Sequence, residues 1–185
     1  VEKGPVLENV MEGADVDLSK FPTPFWHPDD GGHYIGTGSY GVTIDPDTGR
    51  MSVGSYRVMV HDKRTVGYCI SLDKNGHGHH DKYLDRGERM PMVIVVGGDP
   101  MTFLISRTEL PQGVFEYDIV GGMRGEALKV IRGRHTEIPF PADAEIVLEG
   151  FVNPKERRIE GPFGEWTGYY GSNIGPSPVM HVEAI

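Results

Sequence analysis

Glycine and proline recur along the whole chain and constrain its fold more than any other feature of the sequence. The 185 residues include 26 glycines and 14 prolines, without the period of collagen. Because these residues interrupt helices and favour turns, the sequence predicts short strands joined by tight turns. Prolines at 22, 24 and 28 exclude a helix there, so residues 1–35 are expected to form an extended strap.

Apolar and polar residues alternate with a period of two after the strap, which is typical of half-buried strands. Together with the turn residues between them, these segments predict an antiparallel meander with strands over 40–44, 52–61 and 66–72. The continuous apolar run 92–96 predicts a buried strand. Later strands are expected over 128–134, 144–151 and 177–183.

Two short helices are predicted from their end signals. One covers 79–88 and ends at Gly87. The other begins with Asp99 as N-cap and Pro100 in its first turn, and it ends at Leu110 before Pro111. Since strands and helices do not alternate regularly, we expect one β-rich α+β domain over residues 1–185. It should have two or three short helices and a partly open β-barrel rather than a doubly wound sheet.

Charge and cysteine content exclude several classes of protein. With 18 Lys and Arg against 27 Asp and Glu, the formal net charge is −9, which disfavours nucleic acid as a partner. No apolar run reaches the roughly 18 residues of a membrane span, and the first residues lack a signal-peptide pattern. The single cysteine, Cys69, allows no internal disulfide, so a cytoplasmic location is expected. Cys69 lies in an apolar strand and is expected to be buried and unreactive.

Two carboxylates, Glu160 and Glu165, flank the sequence Gly-Pro-Phe-Gly, which cannot be helical and can turn both towards one point. Like charges held close together raise the pKa of one carboxyl group, which makes it a candidate proton donor near neutral pH. Arg57, a charge among apolar strand residues, can bridge two carboxylates or lie against a flavin-like ring. The alternatives are a surface turn with solvated acids and an arginine on an exposed strand face.

Two further segments carry candidate ligands. The segment 74–80 combines Lys74 and Asn75 with three histidines between glycines. Clustered histidines can bind Zn²⁺, Mn²⁺ or Cu²⁺, and a glycine-rich loop with a lysine can bind phosphate. A solvated loop before a helix is the third alternative. The acids Glu116 and Asp118, before a glycine pair, can hold a hard cation such as Mg²⁺ or Mn²⁺ or belong to a solvated turn.

Several stretches taken together resemble the UbiD family of reversible decarboxylases that use prenylated FMN, in particular the branch acting on hydroxybenzoate-like acids. They follow one another along the chain at 21–27, 54–62, 96–100, 121–126, 141–150 and 160–170. The resemblance implies a split β-barrel of the flavin-reductase type, which agrees with the β-rich prediction. Family enzymes are longer than this sequence, and its first residue is Val1 rather than a methionine. We therefore expect a segment of a longer enzyme or a small subunit of a split one.

By the same resemblance, Arg57, Glu160 and Glu165 match the family's Glu–Arg–Glu network. Glu165 would be the acid/base that returns a proton to the carbon that loses CO₂. Arg57 would hold the ring system of the cofactor, and Glu160 would orient Arg57. Cofactor contacts are implied for Ser55, Tyr56, Arg57, Cys69, Ile70, Ser71, Lys74 and Asn75.

Family members also bind the cofactor phosphate through a divalent metal, usually Mn²⁺, with K⁺ nearby, and their ligands are an asparagine, a histidine and a glutamate. Glu116 matches the glutamate, whereas Ser52 stands at the asparagine position and Lys74 at or near the histidine position. Lys74 would then neutralise the phosphate or pair with Glu116. Alternatively, His77 or His79 would serve as a metal ligand after a small loop shift.

The resemblance thus predicts a prenylated-FMN-dependent, non-oxidative decarboxylase or carboxylase of aromatic or α,β-unsaturated acids, or the cofactor domain of one. The acid and CO₂ would be its small-molecule partners, and a flavin prenyltransferase would supply the cofactor. A homo-oligomer or a C-terminal domain would complete the site. Two alternatives stay open, a non-catalytic flavin-binding or assembly subunit of a split decarboxylase and an ordinary split-barrel flavin reductase.

Overall fold

The computed structural model describes residues 1–70, 74–111, 113–171 and 174–185, and within these ranges it contains ten strands and three α-helices. The helices are α1 (Asn75–Arg86), α2 (Pro100–Ile105) and α3 (Glu116–Arg124). No helix in these ranges has the length and apolar character needed to cross a membrane. The strands are β1 (His33–Gly36), β2 (Ser39–Ile44), β3 (Met51–Gly54), β4 (Arg57–Val60), β5 (Thr65–Cys69), β6 (Met90–Val96), β7 (Val130–Arg132), β8 (Pro139–Pro141), β9 (Ile146–Glu160) and β10 (Gly175–Ala184).

Eight of these strands form one antiparallel sheet in the order β1-β4-β5-β10-β9-β6-β2-β3, and β7 pairs separately with β8. The sheet curls into a half-barrel. Its curl brings Glu160 at the end of β9 into contact with Arg57 at the start of β4, although β5 and β10 separate these strands in the sheet. The prediction of a β-rich, partly open barrel with two or three short helices is confirmed.

Buried apolar side chains cover both faces of the sheet. In β6, Met92 and Ile94 belong to one core cluster together with Leu148, whereas Val93 and Val95 belong to a second cluster. A strand buried on both faces needs apolar residues at every position rather than at alternate ones. The buried strand predicted over 92–96 is therefore confirmed.

Strand boundaries differ from the prediction where the residue pattern is weak. The segment 52–61 forms two strands, because the N–H of Ser55 donates to the carbonyl of Ser106 at the end of α2 rather than to a neighbouring strand. β9 continues to Glu160 because β10 pairs with it as far as Gly175. The outer half of β9 is polar, which hides the strand signal. β1 lies inside the predicted irregular strap, and residues 71 and 72 of a predicted strand lie outside the described residues.

The helix predictions are partly right. Asp99 caps α2 through a hydrogen bond from the N–H of Met101 (2.8 Å), as predicted, but the helix ends at Ile105. α1 begins at Asn75, four residues before its predicted start at His79 (79 − 75 = 4), so the predicted glycine–histidine loop is helical. α3 is absent from the sequence prediction, because its two adjacent glycines obscure the periodic burial of its other residues.

A buried carboxylate holds the turn between β7 and β8. Glu149, on β9, accepts hydrogen bonds from the N–H groups of Arg134 (3.2 Å), His135 (2.7 Å) and Thr136 (2.6 Å), and from the Thr136 hydroxyl (2.9 Å). Glu149 is 5% exposed. Removing this acceptor would leave several backbone donors without partners in a largely buried place.

We therefore expect Glu149→Ala to lower the free energy of unfolding by about 2–4 kcal/mol. Glu149→Gln keeps one acceptor oxygen and should cost less than the alanine variant. Urea unfolding of the three proteins, followed by circular dichroism, measures both differences. A loss below about 1 kcal/mol in the alanine variant would contradict the role given to this carboxylate.

Candidate active site

Arg57 and Glu160 form a two-point ion pair where the sheet curls back on itself. Arg57 Nε donates to Glu160 Oε1 at 2.7 Å, and Arg57 Nη2 donates to Oε2 at 2.6 Å. Glu160 is 2% exposed. Burial by itself would lower the pKa of Arg57, but the hydrogen bonds and charge of Glu160 outweigh it and raise that pKa. The guanidinium is therefore a fixed positive charge whose plane is set by Glu160.

Two aromatic residues support this ion pair, and the sequence analysis assigned neither of them a role. The hydroxyl of Tyr34 donates to Glu160 Oε1 at 3.1 Å. Burial and the neighbouring Glu160 carboxylate raise the pKa of Tyr34, which keeps the hydroxyl protonated as a donor. The ring of Phe163 lies 4.7 Å from the Tyr34 ring and 5.3 Å from Arg57 Cζ. Arg57 is thus held by charge at its tip and by an aromatic face beside it.

Glu165 lies on a tight hairpin beyond Glu160 and reaches the same guanidinium. Its N–H donates to the carbonyl of Tyr169 at 2.8 Å, and its carbonyl accepts from the N–H of Gly168 at 2.9 Å. Its Oε1 lies 3.8 Å from Arg57 Nη1, and its side chain is 36% exposed. The two carboxylates therefore differ: Glu160 is buried and paired with Arg57 on two atoms, whereas Glu165 is partly exposed to solvent.

A cleft of about 610 Å³ lies beside β3 and the start of α1. Its volume falls in the roughly 300–1,000 Å³ range of small-molecule sites. Gly54 and Tyr56, three residues and one residue before Arg57, form part of one wall. Lys74 and Asn75 form another part at the N-terminus of α1. A lysine together with the first N–H groups of a twelve-residue helix attracts a phosphate.

The remaining residues predicted to contact a cofactor lie around Arg57. Cys69 is paired with Arg57 across β4 and β5, and burial raises the pKa of its thiol, which keeps it protonated. Tyr56 is 3% exposed and packs in the core, as Ile70 does in part. The hydroxyl of Ser55 donates to the carbonyl of residue 39 at 3.2 Å. Ser71, the eighth predicted contact, lies outside the described residues.

The predicted metal ligands come together only in part. The Ser52 hydroxyl donates to Glu116 Oε1 at 3.2 Å and lies 3.5 Å from Asn75 Nδ2. Glu116 is 6% exposed, and burial raises the pKa of its carboxyl group. Its Oε2 is buried and has no hydrogen-bond partner in the described part of the chain. These oxygen atoms form a small polar centre in the wall of the cleft.

The two candidate histidines make their polar contacts with other residues, although His79 lines the same cleft as Ser52 and Glu116. His79 Nδ1 lies 2.9 Å from the Thr43 hydroxyl, and His77 Nδ1 lies 3.1 Å from Asp81 Oδ2 one helical turn further along α1. Because this segment is helical rather than a loop, its histidines are fixed by their own neighbours. Among the residues that the structure describes, no three His, Cys, Asp or Glu side chains are grouped closely enough to hold a metal ion.

Buried histidines predict how stability depends on pH. Burial lowers the pKa of His61, His79 and His80 in the folded chain. Well above the ordinary histidine pKa of about 6.5, all three are neutral in the folded and the unfolded chain and do not change the free energy of unfolding. As the pH falls through this value the unfolded chain binds protons first, so the free energy of unfolding decreases. Glu116 contributes to the pH dependence of stability with the opposite sign, because its raised pKa favours the folded chain as the pH falls.

We expect the melting temperature to decrease between about pH 7.5 and pH 5.5, since three histidines outweigh one glutamate in this window. His79→Gln should reduce the slope, because it removes one of the three histidines whose pKa burial lowers. Differential scanning calorimetry across this range measures the slopes. A melting temperature that rises on acidification would contradict this assignment.

Comparison with known proteins identifies the family of the chain. A family profile described as the UbiD 3-octaprenyl-4-hydroxybenzoate carboxy-lyase Rift-related domain matches residues 1–185. The chain belongs to the UbiD family. Among curated UbiD relatives, a pyrrole-2-carboxylic acid decarboxylase of Pseudomonas aeruginosa is 37% identical over 186 residues. A phenolic acid decarboxylase of Streptomyces sp. strain D7 is 33% identical over 189 residues.

A solved UbiD structure has the same fold. It is an evolved dimeric form of the UbiD-class enzyme HmfF from Pelotomaculum thermopropionicum in complex with prFMN, with a TM-score of 0.91 and 32% identity. The match covers 97% of this chain and 42% of HmfF. The two curated relatives match over 100% of this chain, which spans 37–39% of their length. The split β-barrel expected from the UbiD resemblance is confirmed.

Proposed function

We propose that this chain is the prenylated-FMN-binding part of a decarboxylase that acts non-oxidatively and reversibly on an aromatic or α,β-unsaturated carboxylic acid. The observation that carries the proposal is the arrangement of Arg57 between a buried, paired Glu160 and a solvent-accessible Glu165. The names of the two curated relatives, decarboxylases of pyrrole-2-carboxylic and phenolic acids, support the substrate class. The prFMN bound to HmfF supports the cofactor.

The cleft suits a flavin mononucleotide. Lys74, Asn75 and the N-terminus of α1 would hold its phosphate. Arg57 follows Tyr56 of the cleft wall in the chain and would lie beside its ring system. Glu116 Oε2, which is buried without a partner, and the neighbouring Ser52 hydroxyl are hard oxygen donors that fit Mn²⁺ or K⁺ at the phosphate end. When bound, prenylated FMN supplies the electron sink that loss of CO₂ requires.

The protein would supply orientation and the proton. Arg57 stays charged because Glu160 is paired with it on two atoms, so it can hold an electron-rich ring or a substrate carboxylate in place. Glu165 is the acid/base in this proposal, because it is close to Arg57 yet reaches solvent, from which it can recover a proton after each turnover. CO₂ and the protonated product would then leave.

A second candidate function is a flavin-binding subunit whose substrate pocket is completed by another polypeptide. It is favoured by the open side of the site, where Trp166 is 92% exposed directly after Glu165 and Tyr169 is 62% exposed. Large aromatic side chains in such a place are typical of surfaces that another protein segment covers. In this case the isolated chain would bind flavin and release no CO₂.

An assay of the flavin-loaded chain tests the proposal. The chain is co-expressed with a flavin prenyltransferase, supplied with Mn²⁺ and K⁺, and incubated with pyrrole-2-carboxylate or a hydroxybenzoate. We expect CO₂ release, and exchange of solvent deuterium into the product carbon that carried the carboxylate. CO₂ release only after addition of the remaining part of a full-length relative would favour the second function. If the chain catalysed the reduction of free flavin by NADH and released no CO₂, the result would contradict both functions and favour a flavin reductase.

A further inference from the structure

A short segment of the strap, residues 27–32, crosses the loop that carries Glu165. Three hydrogen bonds join them. The N–H of Gly164 donates to Asp30 Oδ1 (2.8 Å), the N–H of residue 31 donates to the carbonyl of Pro162 (2.8 Å), and the N–H of Asp29 donates to the Tyr170 hydroxyl (3.0 Å). The contacts span the loop from one side of Glu165 to the other. The strap therefore fixes the loop on both sides of Glu165 in the chain.

Asp30 contributes a buried carboxylate to this crossing. Its side chain is fully buried, and both carboxylate oxygens are occupied. Oδ1 accepts from the N–H of Gly164, while Oδ2 accepts from the N–H of His27 at 2.9 Å and lies 3.6 Å from His27 Nδ1. A carboxylate bonded to backbone N–H groups in a buried place makes a strong anchor, stronger than a neutral pair.

The strap and the loop also approach each other too closely for side chains at the crossing. A Cβ on Gly164 would lie 2.5 Å from the His27 ring, and a Cβ on Gly31 would collide with the carbonyl of Gly161. The His27 ring in turn packs edge-on against Phe163, with ring centroids 5.9 Å apart. Because Phe163 also lies beside Arg57, the strap is connected by direct packing to the centre of the site.

Glu165 depends on this anchor more than Glu160 does. Glu160 is bonded directly to Arg57, but the Glu165 carboxylate lies 3.8 Å from Arg57 Nη1, beyond the usual upper length of about 3.2 Å for a hydrogen bond. Its position follows from its backbone, and Gly164, the residue before it, is held by Asp30. In the function proposed above Glu165 gains and loses a proton, and a direct ion pair with Arg57 would favour only its charged form.

We propose that Asp30 is a positioning residue that holds Glu165 beside Arg57 through the N–H of Gly164. The proposal rests on the function proposed above for its catalytic consequence, but its structural part does not. Asp30 touches neither the guanidinium nor the cleft wall in this arrangement. Its effect is on the placement of the acid/base, not on flavin binding.

Two variants and a matched control test this role. Asp30→Ala removes both acceptors, and Asp30→Asn keeps an acceptor oxygen for Gly164 while placing an amide near His27. Asp29→Asn makes the same change of charge one residue away. The Asp29 side chain is exposed, and this residue contacts the loop only through its backbone N–H. The asparagine variant also guards against the alanine variant failing to fold.

Amide hydrogen exchange of the chain is the first readout. In Asp30→Ala we expect the amides of Gly164, Glu165 and Gly168 to exchange at least about 10-fold faster. Asp30→Asn should fall in between, and Asp29→Asn should match the unaltered chain. Amides of the central strands β6 and β9 should change less than twofold in all variants. Unchanged exchange in the loop of a folded Asp30→Ala protein would overturn the proposal.

Steady-state kinetics of the flavin-loaded protein are the second readout. We expect kcat of Asp30→Ala to fall at least about 10-fold, with KM and the dissociation constant of FMN within about twofold of the unaltered protein. Faster loop exchange with unchanged kcat would overturn the proposed positioning role, and Asp30 would then only stabilise the loop. Faster loop exchange in a chain that itself has no flavin-dependent activity would reject the proposed function and uphold the anchor, so the two failures are distinguishable.

Discussion

Replacement of Glu165 by glutamine should lower the decarboxylation rate about 10²–10⁴-fold while leaving flavin binding unchanged. Glutamine has nearly the same shape as glutamate and can sit on the same hairpin, where the backbone bonds to Tyr169 and Gly168 hold it. It cannot deliver or accept a proton at its side chain. The loss should therefore appear in kcat and in exchange of solvent deuterium, and the dissociation constant of FMN should stay within about twofold.

Glu8→Gln is the matched control for this variant, because Glu8 is exposed and lies in the strap outside the cleft. It makes the same chemical change and should have the activity of the unaltered protein. Full activity in Glu165→Gln would exclude Glu165 as the acid/base. A large loss of FMN affinity in that variant would instead give Glu165 a binding role.

Replacement of Glu160 by alanine should lower the free energy of unfolding by about 3–5 kcal/mol. The alanine leaves the Arg57 guanidinium without its two-point partner, in a place where only 13% of its side chain is exposed. It also removes the acceptor of the Tyr34 hydroxyl. Chemical unfolding in urea, followed by circular dichroism, measures the loss.

Two comparisons separate the loss of the Arg57–Glu160 charge pair from the loss of packing. Glu160→Gln keeps an acceptor for Tyr34 and should be destabilised less than the alanine variant. The double variant Arg57→Met with Glu160→Leu removes both charges, and it should recover much of the stability lost by Glu160→Ala. If the double variant were as unstable as the single one, packing rather than charge pairing would explain the effect.

The parts of the fold that sequence could predict are those set by local pattern. The continuous apolar run in β6 reflects burial on both faces, and Asp99 followed by Pro100 is a local start signal for a helix. Glu160 and Glu165 stand out because glycine and proline between them force a turn. The pairing of Arg57 with Glu160 joins residues 103 positions apart. Residue chemistry allowed Arg57 to bridge two carboxylates, and the resemblance to UbiD proteins assigned Glu160 as its partner.

The parts that sequence could not predict depend on packing between distant segments. At the early start of α1, Gly76 lies close to the hydroxyl end of Tyr56, and nothing near Gly76 in the sequence signals this contact. Asp30 and Tyr34 look like polar and aromatic residues of an irregular strap. Their roles appear only when the strap is folded against the loop and β9. The histidines at 77 and 79 were weighed as loop ligands, but they lie in a helix, where their Nδ1 atoms contact Asp81 and Thr43.

The most direct test of the central claim is to identify the molecule that the chain binds. The chain is purified after co-expression with a flavin prenyltransferase, and native mass spectrometry and the visible spectrum of the same sample are recorded. We predict a non-covalent adduct with the mass of prenylated FMN, and loss of most of this adduct in Lys74→Ala. A chain that carries no flavin, and that binds no added FMN in the presence of Mn²⁺ and K⁺, would contradict the assignment of the cleft and of the function built on it.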